Sequence, residues 1–131
     1  METDASWWLD SPDGVEIGGS GFSATLRDYG RFGLFLLNGG VAGGDSILPS
    51  GWIPEATTPK TLRGGTPSDY GYLWWPGQHG AYAAEGIYGQ WIYVNPGAHV
   101  VIVVWSAQAK PTGAAAVDDW AFFDAVVSAL K

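Results

Sequence analysis

The chain has 131 residues, with 6 basic and 13 acidic side chains, a formal net charge of −7 and no cysteine. This length fits one domain or part of one, the acidic balance excludes the clustered basic surface that nucleic-acid binding requires, and the lack of cysteine excludes disulfides and thiolate nucleophiles. Charged residues make up only 15% of the chain, while 47% is apolar and eight residues are Trp, so we expect a larger protein, an oligomeric partner or an apolar ligand to cover part of its surface.

The first elements in chain order are a short strand at 7–9 and a helix at about 26–38. Thr25 and Asp28 form a capping box at the start of this helix, and apolar residues follow at helical spacing. Asn38-Gly39-Gly40 supplies a left-handed stop. The helix is therefore the firmest local prediction.

A second, shorter helix is predicted from Pro49 or Ser50 to about Ala56. Pro59 and the loop at 64–67 end it. No stretch of the sequence is long and apolar enough to cross a membrane, and the first residues lack the features of a signal peptide. The compartment stays open, with the cytoplasm slightly favoured.

Strands are predicted in the second half, at 70–75, 90–94 and 99–105. The turn Asn95-Pro96-Gly97-Ala98 joins the last two strands, with Gly97 free to take a positive φ. Because 100–105 shows no alternation of polar and apolar residues, we expect a central strand covered on both faces. A last helix, started by Asp118 and Asp119, should lie on the sheet. Residues 1–131 are thus predicted to form one α+β unit, an antiparallel sheet with packed helices.

Few residues could carry chemistry. His99 opens a buried-looking strand and is interpreted as structural, while His79 lies in a glycine-rich loop and is expected to be exposed. Two histidines so placed predict no metal site, and no cofactor is expected. The Ser-x-x-Lys pattern at 128–131 lies at a fraying helix end, and Lys110-Pro111-Thr112-Gly113 is interpreted as a loop, so neither is expected to be catalytic.

The most informative segment is the glycine turn Glu85-Gly86-Ile87-Tyr88-Gly89-Gln90. Its glycines would let another molecule approach the backbone, and a free amide at a strand edge can donate to a developing oxyanion. A turn without any ligand is the alternative reading of these six residues.

In order along the chain, these features resemble the C-terminal part of the β-lactamase-related serine hydrolases, the superfamily of class C β-lactamases, DD-peptidases and family VIII esterases. The resemblance covers nearly all of the chain. The motifs that carry it are Gly19–Ser23, Thr25–Gly33, Leu36–Gly40, Leu48-Pro49-Ser50, Tyr70–Trp75, the segment 85–96 and Val100–Val104. Within the family, Trp74-Trp75 and Gly-Ile-x-Gly-Gln resemble the 6-aminohexanoate-dimer hydrolases more than the lactamases.

The resemblance implies a β-lactamase/transpeptidase-like fold and an acyl-enzyme mechanism, in which a Ser attacks an amide or ester and a Lys and a Tyr move protons. It implies that the Ile87 amide contributes to the oxyanion hole, that Trp75 contacts substrate at the cleft mouth, and that Gly86 and Tyr88 adjoin the substrate. The position of the usual strand Lys or His is filled by Ala84, which disfavours β-lactam recognition.

The family's catalytic Ser-x-x-Lys and Tyr-x-Asn motifs belong to its N-terminal portion, which the resemblance does not cover. We therefore expect a C-terminal segment that is inactive alone. Its expected partners are a small amide or ester substrate and the missing N-terminal segment of the same protein. Without that N-terminal segment, the chain is expected to self-associate. One subunit of a split hydrolase, or a Trp-rich module that binds sugars or another polymer, remain the alternatives.

Overall fold

A computed structural model describes residues 1–61, 65 and 68–130 of the chain. Its elements in chain order are α1 (Leu26–Leu37), β1 (Val41–Ala42), β2 (Asp45–Ser46), α2 (Trp52–Thr57), β3 (Trp75–Pro76), β4 (Tyr82–Gly86), β5 (Gln90–Asn95), β6 (Val100–Val104) and α3 (Asp119–Ala129). β1 and β2 form a small hairpin, and β3-β4-β5-β6 form an antiparallel sheet in that order. The predicted α+β class is confirmed. Within the described ranges, no helix is both long and apolar enough to span a bilayer.

The two longer helices cover opposite faces of this sheet. On one face Phe123 and Val127 of α3 pack against a core of Ala81, Ala83, Trp91 and Tyr93. On the other face Gly33 of α1 lies so close to β6 that an added Cβ would sit 2.4 Å from Val101 Cγ1. The last helix therefore lies on the sheet as predicted, and Gly33 allows α1 to approach the opposite face.

Helix α1 begins and ends close to the predicted residues. Thr25 is its N-cap and accepts a hydrogen bond from the Asp28 amide, and Gly39 and Gly40 after the helix have φ of 74° and 79°. The buried Asp28 carboxylate accepts from the hydroxyls of Thr3 and Thr25 and from the amide of Glu2. The hydrogen bond from the Thr3 hydroxyl, followed by that from the Glu2 amide, holds the pKa of Asp28 well below its usual range.

A series of ring contacts joins the N-terminal segment to α1 and to the end of β6. Trp7 meets Phe22 with ring centroids 4.9 Å apart, and Phe22 meets Tyr29 at 5.6 Å. Tyr29 of α1 then contacts Trp105 at 6.2 Å. The predicted strand at 7–9 is reduced to single bridges between Ser6 and Ser23 and between Leu9 and Glu16.

Several local predictions in the second half need correction. The predicted strand at 70–75 is limited to Trp75–Pro76, because Leu73 has a left-handed backbone with φ of 64°. The residue with positive φ in the β5–β6 turn is His99, at 58°, and not Gly97. Asn95 pairs with Val100, so four residues form the loop and the left-handed position falls on its last residue. His99 is consequently exposed in a turn and does not open the strand.

Two further predictions were partly right. Strand β6 is half-buried between two helices, but it lies at an edge of the sheet and not at its centre. An apolar sequence cannot distinguish a central strand from an edge strand whose faces are covered. Helix α2 begins at Trp52, after Gly51 with φ of 79°, and therefore starts later than predicted. The predicted loop at 64–67 lies, except for Gly65, outside the described residues.

Candidate active-site wall

The glycine turn joins β4 to β5 as a tight hairpin. The last pair of the ladder is Gly86 with Gln90, which leaves three residues in the loop. Two of these, Tyr88 and Gly89, have φ of 65° and 83°. Glycine takes this conformation without steric cost, whereas Tyr88 takes it only where the surroundings hold it.

The segment that follows β6 holds the turn in place. The Tyr88 amide donates to the Pro111 carbonyl at 3.0 Å, and the Gln108 amide donates to the Tyr88 carbonyl at 3.2 Å. The Gln90 side-chain amide also donates to the Ser106 carbonyl. Lys110-Pro111-Thr112-Gly113 is thus a loop, as predicted, and its Pro111 fixes the backbone of the candidate site.

Both glycines of the turn have a packing role within the chain. An added Cβ on Gly89 would lie 2.3 Å from Gln108 Nε2 and 3.0 Å from Ser106 Cβ. One on Gly86 would lie 2.9 Å from Gln90 Cβ. These contacts explain both glycines without a ligand, so a contact between Gly86 and substrate stays a prediction.

Ile87 follows the end of β4 that β3 leaves uncovered. The Ala81 carbonyl accepts from the Gly77 amide on the β3 side at 2.7 Å, and backbone groups alternate in direction along a strand. Ala83 and Glu85 therefore direct their backbone groups to the same side, but β3 extends only as far as Ala83. Ile87 is the first residue of the turn that follows β4. Among the described residues, no hydrogen bond involves the Ile87 amide, and the residue is 62% exposed.

Trp75 lies farther along the same edge. It pairs with Ala83, four residues before Ile87 and hence about 13 Å away along the strand. Its ring is 39% exposed and contacts the Tyr70 ring at a centroid distance of 4.5 Å. The structure thus places Trp75 and Ile87 on one edge but not in direct contact.

The two faces of β4 differ in polarity near the turn. Tyr82 and Ala84 share the face that α1 covers, and burial raises the pKa of the Tyr82 hydroxyl to about 12. That hydroxyl has no hydrogen-bond partner among the described residues. Glu85 lies on the α3 face, where partial desolvation and then the Asp119 carboxylate raise its pKa. The face that carries Ala84 is therefore uncharged beside the candidate oxyanion donor.

The other candidate catalytic groups lie apart from this edge. Ser128 is exposed in the last turn of α3, and Lys131 lies outside the described residues. His79 is exposed, as predicted. The described residues contain no group of three His, Asp or Glu side chains that could hold a metal ion. No nucleophile with an adjacent base is therefore found in the described part of the chain.

Sequence reasoning missed two features of the site. Within the segment 105–111, only the part from Lys110 onward was interpreted as a loop, and the hydrogen bonds that Ser106, Gln108 and Pro111 make with the turn were not predicted. Leu73, whose left-handed backbone precedes β3 and limits it on that side, gave no signal because leucine rarely adopts this conformation. The exposed tryptophans, which suggested a polymer-binding face, form no ring contacts with one another among the described residues.

Comparison with known proteins supplies a family context. The Beta-lactamase family matches residues 2–126. The 6-aminohexanoate-dimer hydrolase of Paenarthrobacter ureafaciens is 31% identical over 121 residues, which cover 84% of this chain and 31% of that protein. A solved structure from Bacillus anthracis, also named for 6-aminohexanoate-dimer hydrolase, gives a TM-score of 0.62 at 32% identity and covers 88% of this chain and 29% of that one. The chain spans about a third of the length of these relatives.

Proposed function

The chain belongs to the β-lactamase family, within the superfamily of β-lactamase-related serine hydrolases, and from this membership we propose that it forms the C-terminal segment of an enzyme that cleaves amide or ester bonds. Its role is to supply one oxyanion-hole amide and a wall of the cleft. The observation that carries this proposal is the unpaired Ile87 amide at the open edge of β4.

The chemistry requires a donor at this position because negative charge develops on the carbonyl oxygen. When a Ser Oγ attacks the carbonyl carbon, the C=O π electrons move to oxygen, and a fixed N–H stabilises the resulting oxyanion. The oxyanion then collapses, the amine or alcohol leaves with a proton, and water releases the acyl group in a second addition and collapse. The Ile87 amide needs no reorganisation because Pro111 and Gln108 hold the adjacent Tyr88 backbone.

The proposed substrate is a linear amide or ester with an uncharged acyl group. Two relatives are named for hydrolysis of the 6-aminohexanoate dimer, and Ala84 leaves the adjoining face of β4 without a cation that could bind a carboxylate. Trp75 and Tyr88, exposed by 39% and 42%, are proposed to contact the substrate along the edge.

The proposal assigns the nucleophile and base to residues outside this chain, so the chain alone is expected to be inactive. Hydrolysis of p-nitrophenyl acetate well above the buffer rate, with covalent labelling by a fluorophosphonate, would contradict that assignment. The partner segment is proposed to cover the edge of β6, beside an open groove of about 450 Å³ lined by Arg27, Gly30, Arg31, Leu34, Val101 and Val103. Without it, we expect two copies to associate through this edge.

The decisive experiment joins the N-terminal portion of the Paenarthrobacter relative to this chain. The chimera should hydrolyse the 6-aminohexanoate dimer. Ile87→Pro, which removes the amide hydrogen, should lower kcat by about 10²- to 10³-fold, whereas Ile87→Val keeps the amide and should stay near the parent rate. Equal activity of the two variants would overturn the role of Ile87.

A further inference from the structure

Strand β3 begins at Trp75, four residues after the position that would pair with the candidate oxyanion donor. Its pairs are Trp75 with Ala83 and Pro76 with Tyr82. Continued in the same register, Leu73 would lie opposite Glu85 and Gly71 opposite Ile87. Both would be hydrogen-bonded pairs by the alternation of the ladder, so the Gly71 carbonyl would accept the Ile87 amide. If β3 began four residues earlier, at Gly71, the Ile87 amide would therefore be hydrogen-bonded within the sheet and could not donate to a substrate.

The chain departs from this register at Leu73. Its φ of 64° is rare for a leucine and turns the backbone out of the extended conformation. The turn is closed by the Gly71 amide, which donates to the Trp74 carbonyl at 2.8 Å. The Leu73 side chain is 60% exposed, so buried packing does not explain why a leucine is held in this conformation.

The segment 70–72, which precedes Leu73, forms hydrogen bonds with α2 and with the residues that follow it. The Tyr72 amide donates to the Ala56 carbonyl at 2.7 Å, and the Lys60 amide donates to the Tyr70 carbonyl at 3.0 Å. Gly71 packs so closely that an added Cβ would lie 2.0 Å from the Ala56 carbonyl oxygen. The backbone of 70–72 is therefore already bonded elsewhere and does not extend β3.

We propose that Leu73 is a positioning residue whose left-handed backbone keeps the outer edge of β4 open at Glu85 and Ile87. Strained backbone conformations are concentrated at functional sites, where the surrounding structure maintains them. The open edge is what this conformation provides here. The catalytic consequence rests on the proposed function, whereas the opening of the edge does not.

Amide hydrogen exchange measured by NMR on the ¹⁵N-labelled 131-residue chain tests the opening directly. In the parent, the Ile87 amide should exchange at least about tenfold faster than that of Ala84, which the ladder directs toward β5. Leu73→Val favours the extended conformation and should slow exchange at Glu85 and Ile87 by about tenfold or more. Leu73→Gly, which accepts positive φ freely, should leave both amides fast and is the matched control.

Two results would overturn the proposal. One is an Ile87 amide as protected as that of Ala84 in the parent chain. The other is a Leu73→Val variant with a native far-UV spectrum and unchanged exchange. If Leu73→Val does not fold, Leu73→Ala penalises the left-handed conformation less severely, and it should slow the same two amides relative to Leu73→Gly.

The chimera then separates this proposal from the proposed function. Leu73→Val should lower its kcat/KM by about tenfold or more, with Leu73→Gly near the parent, because a paired Ile87 amide cannot meet the oxyanion. If exchange slows as expected but hydrolysis is unchanged, the edge is held open by Leu73 and the oxyanion role of Ile87 fails. If exchange is unaffected, the role of Leu73 fails whatever the activity.

Discussion

The two edges of the sheet present the same backbone pattern in different surroundings. At the β4 edge, the ladder directs the backbone groups of Glu85 outward beyond the reach of β3, and the Ile87 amide in the glycine turn that follows has no hydrogen-bond partner among the described residues. At the β6 edge, the same alternation carried across β5 leaves the backbone groups of Val101 and Val103 unpaired. Strand β6 contains only valine and isoleucine and carries no charge, proline or bulge.

The β4 edge is therefore interpreted as one that the fold keeps free of a neighbouring strand, and the β6 edge as one that another protein segment covers. Proteins protect exposed edges with charges, prolines, bulges or short strands. Strand β3 leaves only the end of β4 beyond Ala83 uncovered, and Glu85 supplies a charge there, whereas all of β6 is uncovered and has no charge, proline or bulge. This difference supports the proposals of a small-molecule site at the first edge and a protein contact at the second.

The largest effect is expected for substitutions that test whether the backbone groups of β6 alternate between pointing toward β5 and pointing outward. Ile102→Pro removes an amide that the ladder directs toward β5 and should cost about 3 kcal/mol or more of the free energy of unfolding. Val103→Pro removes an outward amide and should cost about 1 kcal/mol. Urea denaturation compares the two. Equal losses would mean that both amides are bonded, and the β6 edge would not be open.

A smaller effect is expected where the β4 edge is held in place. Gly89→Ala places a side chain at φ of 83° and against Gln108, and should cost about 1–3 kcal/mol. Gly113→Ala, at φ of 69° with no atom within 4 Å of the added Cβ, isolates the backbone cost. Thermal unfolding of both variants measures the difference. If Gly113→Ala is as harmful as Gly89→Ala, packing against the 105–111 segment contributes nothing.

Self-association tests the assignment of the β6 edge. Val103→Lys introduces a charge at that edge and should weaken association of the isolated chain by about tenfold or more. Val41→Lys, at an apolar residue of β1 that is 42% exposed, is the control and should leave association unchanged. Sedimentation equilibrium measures both dissociation constants. A Val103→Lys chain that associates as tightly as the parent would place the contact elsewhere.

The smallest effect concerns the charge beside the β4 edge. Since desolvation and Asp119 raise the pKa of Glu85, its ionisation opposes folding, and its contribution to stability falls as the pH rises from the usual range of a carboxyl through the raised pKa. Glu85→Gln should remove this pH-dependent loss of stability and slightly raise the free energy of unfolding at pH 7. Urea denaturation from pH 4 to 7 measures it. A steeper loss of stability with rising pH in the variant would contradict the sign.

Sequence patterns predicted those elements in which local and tertiary preferences agree. Thr25, Asp28 and the glycines after Asn38 fixed both ends of α1 because capping depends on residues adjacent in the chain. The alternation-free apolar run at 100–104 predicted a strand with two covered faces. Its position at an edge depends on which other strands are present, and no residue within β6 encodes that.

The candidate site was predicted only as far as the glycine turn. Gly86 and Gly89 are visible in the sequence because glycine marks unusual backbone. Gln108 and Ser106, against which Gly89 packs, are about twenty residues away and have no motif. The left-handed Leu73 was invisible for the opposite reason, since tertiary contacts at Ala56 impose a conformation that the side chain disfavours. Whether Ile87 and Trp75 contact a substrate stays a prediction.

The segment 105–111, which holds the glycine turn, is also the direct continuation of β6. Its Ser106, Gln108 and Pro111 bond to the turn, while its first residue, Trp105, ends the opposite edge. A partner that orders the end of β6 would therefore restrict the segment 105–111, which holds the glycine turn in place. By thermodynamic linkage, if that partner raises the affinity of the turn for a ligand, the ligand raises the affinity for the partner by the same factor. Binding of a partner at β6 and binding of a ligand at the glycine turn would then be coupled through the segment 105–111.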